Sequence, residues 1–192
     1  MDPYERVARE AARLRYDEPD LYREYIHAKR EASKRLGLDV LPDNKSIFMY
    51  YQEIADMREG REERLVLLKK MRLEALKWMK LFEDFSPKVL GSVKRGDVTS
   101  KSDIDIHVLV DDDYDDFLDF LGRKRIYYDY RVNTVRNNKE VKDYHHVMID
   151  GEFRCEITIY LREEYVPQTC SIFGDKIKGI TVKQLEKILN EE

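Results

Sequence analysis

GSVKRGDVTSKSDIDIHVLV, residues 91–110, is the stretch from which the fold of this chain can be read. It opens on Gly-Ser, passes through polar residues and ends in strict alternation. Ile104, Ile106, Val108 and Val110 fall on one side, and Asp103, Asp105, His107 and Leu109 on the other. A period of two predicts a half-buried strand, and residues i and i+2 of a strand share a face. Asp103 and Asp105 would then stand roughly 6–7 Å apart at Cβ. Carboxylates that close repel by about 1–3 kcal/mol at an effective dielectric near 20. A divalent cation between them turns the repulsion into binding. Mg²⁺ favours one or two carboxylates together with phosphate oxygens and water. Gly91 lets the backbone approach a ligand closely. The amides of the helical turn expected at 92–96, with the Ser92 hydroxyl, could cradle a phosphate. Lys94 and Arg95 add nearby positive charge, and Ser102 adds a donor just before the first aspartate.

Upstream of this stretch the periodicity is helical. In residues 1–86, four helices are predicted. The first is capped by Asp2-Pro3 and the second opens near Asp17 and Pro19 and stops at Gly37. The third follows Pro42-Asp43, and the fourth runs from about Arg61 to Phe85. The last carries Leu68, Met71, Ala75, Trp78, Met79, Phe82 and Phe85 on one stripe, which predicts a core role for Trp78. Ser86-Pro87 marks a boundary, so the chain divides into a helical block, 1–86, and a strand-rich domain, 87–192. Basic and acidic residues balance in the first, and the net charge of −4 comes from the second.

Downstream, residues 126–135 alternate again, and Tyr127, Tyr128 and Tyr130 are expected to pack rather than to stack on a base. Tyr144–Ile149 and Phe153–Tyr160 read as a hairpin about Asp150-Gly151. Thr181 and Gln184 form a capping box for a last helix, 182–190. The run DDDYDDFLDF, 111–120, lacks the glycine and terminal glutamate of a calcium loop. It reads as a helix start, where aspartates oppose the positive end of the dipole. His107 reads as a rim residue, and His145-His146 point to opposite faces of a strand, which makes a poor zinc site.

Composition narrows the classes. With 39% charged residues and a net charge of −4, the chain lacks the broad basic surface of a duplex-binding protein. A small nucleotide is not excluded, because metal ions can neutralise it. Cys155 and Cys170 have no metal-ligand spacing, so a reducing, cytoplasmic setting is expected. No apolar run approaches the ~18 residues of a membrane span, and no signal peptide is visible.

Gly91-Ser92, ten residues, then Asp103-Ile104-Asp105-Ile106 resembles the signature of the nucleotidyltransferase superfamily that includes DNA polymerase β. GSVKRGDVTSKSDIDI looks most like the minimal nucleotidyltransferases of bacteria and archaea. The resemblance covers about 87–192. It implies an α+β fold, in which the N-terminal helical block precedes a mixed β-sheet with flanking helices. It also implies a third carboxylate on a later strand. In FRCEITIY, Phe153, Cys155, Ile157 and Ile159 form the core face and Arg154, Glu156 and Thr158 the other, so Glu156 is the candidate, where the family more often has Asp. By resemblance, Asp103, Asp105 and Glu156 would be the catalytic and metal-binding residues, holding Mg²⁺ or Mn²⁺. Gly91, Ser92, Lys94, Arg95 and Ser102 would bind the NTP. The activity implied is transfer of a nucleoside monophosphate to an acceptor hydroxyl on a protein, a small molecule or an RNA end, with release of pyrophosphate. The helical block would serve as a cleft wall, a homodimer surface or a protein-partner surface. The alternative is a catalytically weak, antitoxin-like binding module of the same fold with a protein partner.

Overall fold

The structure, a computed structural model, describes residues 2–136, 141–167 and 169–191. Four helices come first: α1 (Pro3–Asp17), α2 (Tyr25–Leu36), α3 (Asn44–Glu59) and α4 (Arg61–Leu81), followed by a single 3₁₀ turn at Glu83–Phe85. Then come β1 (Lys88–Val89), α5 (Gly91–Arg95), β2 (Ile104–Val110), α6 (Asp115–Arg123), β3 (Asp129–Arg136), β4 (Val141–Ile149), β5 (Cys155–Leu161) and α7 (Val182–Glu191). The chain forms two compact units. The first comprises Met1–Leu65, Thr99–Lys101 and Thr169–Lys176, and the second Val66–Val98, Ser102–Gln168 and Ile177–Glu192.

In the first unit, α1 presents Val7, Ala8, Ala11, Ala12 and Leu14, all essentially inaccessible, to Ala28 and Ala32 of α2 and Ile47 of α3. Alanines at these positions let helix backbones approach closely. Two aspartates cap as their positions predict: Asp2 accepts from the Glu5 amide at 2.8 Å, and Asp43 from the Ser46 amide at 2.7 Å. Helix α2 begins later than Asp17-Pro19 suggests. Residues 18–24 form a turn, in which the Arg15 guanidinium bonds the carbonyls of Tyr22, at 2.8 Å, and Arg23. Glu59 bonds the Tyr16 hydroxyl at 2.7 Å and the Ser100 amide at 2.9 Å, which ties segment 99–101 into this unit.

The second unit is built on a five-stranded mixed sheet in the order β1-β2-β5-β4-β3. Strands β2 and β5 are parallel, and the remaining pairs are antiparallel. Its core joins Leu68, Met71, Ala75, Met79 and Phe82 of the α4 region to Ile104, Ile106 and Val108 of β2, Ile157 and Ile159 of β5, Phe117 and Leu121 of α6, and Leu185 of α7. The break between the units falls inside α4, at Leu65–Val66, although the hydrophobic period changes only at residue 86. Packing explains the offset, because the stripe from Leu68 onward lies in the sheet's core. Trp78 is half-buried and stacks on Phe82 with centroids 5.7 Å apart. Thr181 and Gln184 form the expected capping box. The tyrosine expectation fails at two positions: Tyr127 precedes β3 and is 95% exposed, and Tyr130, in β3, is 40% exposed. No helix among the described residues is long and apolar enough to cross a membrane.

Candidate active site

The site face of the sheet is the one opposite the core. In β2 every second residue is buried, and Asp105, His107 and Leu109 between them are half-buried. In β5, Glu156 is half-buried between buried Cys155 and Ile157. The parallel register sets Asp105 directly beside Glu156, and His107 beside Thr158. Adjacent strands lie about 4.8 Å apart, so the two carboxylates are neighbours. Asp103, also half-buried, precedes the first residue of β2. A chemical sign of the cluster is the buried Cys155 thiol. Burial pushes its pKa up, and Asp105, Glu74, Asp103 and Glu156 push it further.

The Gly-Ser turn is carried to this cluster by β1. Strand β1 is antiparallel to β2, and the Leu90 amide bonds the Asp105 carbonyl at 2.9 Å. Gly91 follows with φ +60°, a left-handed conformation that side chains rarely adopt. A Cβ there would lie 3.0 Å from Asp105 Cγ and would collide with the carboxylate itself. The sequence suggests that this glycine admits a ligand, and the structure adds that it admits Asp105.

Helix α5 is a single turn, too short to hold itself. Arg72 supports it from behind: this buried guanidinium donates from Nε to the Val93 carbonyl at 3.0 Å and from Nη2 to the Lys94 carbonyl at 3.3 Å. Nothing in the sequence singles out Arg72, which sits beside Met71 in an otherwise ordinary helical stripe. Ser92 and Ser102 are half-buried. The two cations are engaged elsewhere. Lys94 reaches the Lys178 carbonyl, and Arg95 pairs with Asp97 at 3.0 Å.

Glu156 has a partner that sequence reasoning missed. His146 Nδ1 lies 3.0 Å from Glu156 Oε1 and 3.2 Å from Thr158 Oγ1. The antiparallel register pairs His146 with Thr158, bringing the imidazole to the site face. His145 takes the other face, stacked on Tyr114 at 3.6 Å. His107 is more enclosed than a rim residue. It packs on Tyr160 at 4.8 Å, and its buried Nδ1 has no hydrogen-bond partner among the described residues. Burial lowers its pKa to about 4, helped by His146 and Lys88 and opposed by Glu156, so the ring is neutral at pH 7.

The donor chemistry of Asp103, Asp105 and Glu156 suits a hard divalent cation, which takes oxygen ligands. As the side chains stand, no group of three His, Cys, Asp or Glu among the described residues converges on a metal position.

The family described as "Nucleotidyltransferase domain" matches residues 69–164, half of the chain. The chain belongs to this family. Its nucleotidyltransferase domain includes most of α4 and ends just after β5, so the match takes in the Gly-Ser turn and all three carboxylates. The solved structures similar to it include a cytoplasmic RNA terminal U-transferase, at 20% identity and a TM-score of 0.28, covering 58% of this chain and 33% of that one. A mutant of the Cid1 poly(U) polymerase bound to MgATP is 18% identical with a TM-score of 0.32, covering 50% of this chain and 33% of that one. The chain thus spans about a third of the length of those two proteins. No curated protein matches the chain.

Proposed function

We propose that the protein transfers a nucleoside monophosphate from an NTP to an acceptor hydroxyl and releases pyrophosphate. What supports this most is the neighbouring of Asp105 and Glu156 across β2 and β5, with Gly91 shaped to admit the Asp105 carboxylate. Asp103, Asp105 and Glu156 would hold Mg²⁺ or Mn²⁺. The bound ion would offset charge on the phosphates and on the attacking and leaving oxygens. Asp103 and Asp105, by holding the ion in place, would set where the α-phosphate sits for in-line attack. Glu156 accepts the proton of the acceptor hydroxyl. Gly91 and Ser92 donate to the outer phosphates from the turn that Arg72 braces, and Ser102 adds a hydroxyl. Lys94 and Arg95, engaged with Lys178 and Asp97, receive no phosphate contact in this reading. The catalytic gain comes from positioning and charge neutralisation.

The test is incubation with each labelled NTP and Mg²⁺ or Mn²⁺, with an RNA oligonucleotide, with small alcohols and with cell extract. Label should move to one acceptor class with the wild-type protein and fall at least about 100-fold with Asp105→Ala. Transfer that survives Asp105→Ala would refute the mechanism. Tight NTP binding with no transfer to any acceptor would favour the binding-module alternative.

A further inference from the structure

We infer that His146 is a positioning residue for Glu156, a reading that rests on the site proposed above. A carboxylate at neutral pH only accepts hydrogen bonds, so the 3.0 Å contact requires a hydrogen on His146 Nδ1. That fixes the donor. Nδ1–H donates to Glu156 Oε1, and Thr158 Oγ1, at 3.2 Å from the same nitrogen, is a second, longer acceptor of that hydrogen.

Three features make the contact more than an incidental surface pair. Both side chains are only 16% exposed, so solvent screens them weakly. Thr158 is buried and sits on β5 two residues beyond Glu156, so the ring is held by the strand that carries its target. The ring also stands beside Tyr144, with centroids 6.5 Å apart, and Tyr144 meets Tyr160 edge-on at 6.3 Å. The imidazole therefore belongs to a packed row across β4 and β5.

The need for such a tether follows from Glu156 itself. Its side chain has one more rotatable bond than an aspartate and so more staggered positions to sample. It also lies beside Asp105, whose charge drives it away. A donor on the next strand restricts that freedom and keeps the carboxylate on the site face. Carboxylates that ligate metals are commonly held in this way by a neighbouring donor, and loss of the donor weakens metal affinity about 10–100-fold.

The experiment compares wild type, His146→Phe, His146→Asn, Glu156→Gln, His146→Phe with Glu156→Gln, and Asp105→Ala. It reads Mn²⁺ affinity by calorimetry with the metal alone, and kcat and KM for the NTP. His146→Phe keeps a ring without the donor and should weaken Mn²⁺ binding at least about tenfold, lowering kcat with little change in KM. His146→Asn places an amide donor near Nδ1 and should restore most of both. In the Glu156→Gln background, His146→Phe should add nothing, whereas a folding defect would persist there. Wild-type affinity in His146→Phe, or an equal loss with and without Glu156, overturns the inference while Asp105→Ala remains defective. Full metal binding and transfer by Asp105→Ala would overturn the proposed function, and this inference with it.

Discussion

Gly91 and Gly37 separate two reasons for a glycine. Both have φ near +60°, but a Cβ at Gly37 meets nothing within 4 Å, whereas one at Gly91 runs into Asp105. Gly37→Ala should therefore lose about 1 kcal/mol of stability through backbone strain and leave transfer unchanged. Gly91→Ala should show similar strain, and transfer should also fall by about 100-fold, because the Asp105 carboxylate must rotate away. Urea unfolding alongside transfer rates distinguishes the two. Equal effects of both substitutions on transfer would exclude carboxylate displacement as the cause. The presence of Gly91, Asp103 and Asp105 was legible in the sequence, because a period of two and a fixed spacing are local properties. The engagement of Lys94 and Arg95 was not legible, since their partners, Lys178 and Asp97, are set by how the chain returns.

Among the elements, helix starts were read well where a single residue decides them. Asp43 caps α3, and its pKa is lowered to about 2, first by the Tyr4 hydroxyl and then by the Ser46 amide. Because the folded value lies below the usual carboxylate value, the stabilisation is complete above about pH 4 and is lost as pH falls through 2. Asp43→Ala should be about 1 kcal/mol less stable than wild type at pH 6, with the gap narrowing below pH 4. Urea midpoints at pH 6, 4 and 2.5 measure it, and a constant gap would exclude the ionised cap. Asp17-x-Pro19 has the form of a helix opening, yet α2 starts only at Tyr25. Here the carbonyls of Tyr22 and Arg23 are taken by the Arg15 guanidinium, which holds the segment as a turn. Helix α5 depends on another element altogether: its Val93 and Lys94 carbonyls are met by Arg72 of α4.

Charge is the property of the whole molecule that bears most on the proposed reaction. The chain carries a net −4 and sets Asp105 beside Glu156 in the sheet, with Asp103 just before β2. A polyanionic NTP approaching carboxylates is repelled unless a cation intervenes. Calorimetry should show NTP affinity at least about tenfold weaker in EDTA than in Mg²⁺, a difference of about 1.4 kcal/mol. Equal affinities would contradict a metal-bridged site. The sequence by itself determined the alternation of helical and strand periods and the family signature of Gly91-Ser92 with Asp103 and Asp105, because these are written in spacing along one strand or helix. Tertiary structure alone decided that Asp105 faces Glu156, that Arg72 braces the Gly-Ser turn and that His146 meets Glu156. Those contacts come from strand register and helix packing, which join residues tens of positions apart and leave no periodic trace in the chain.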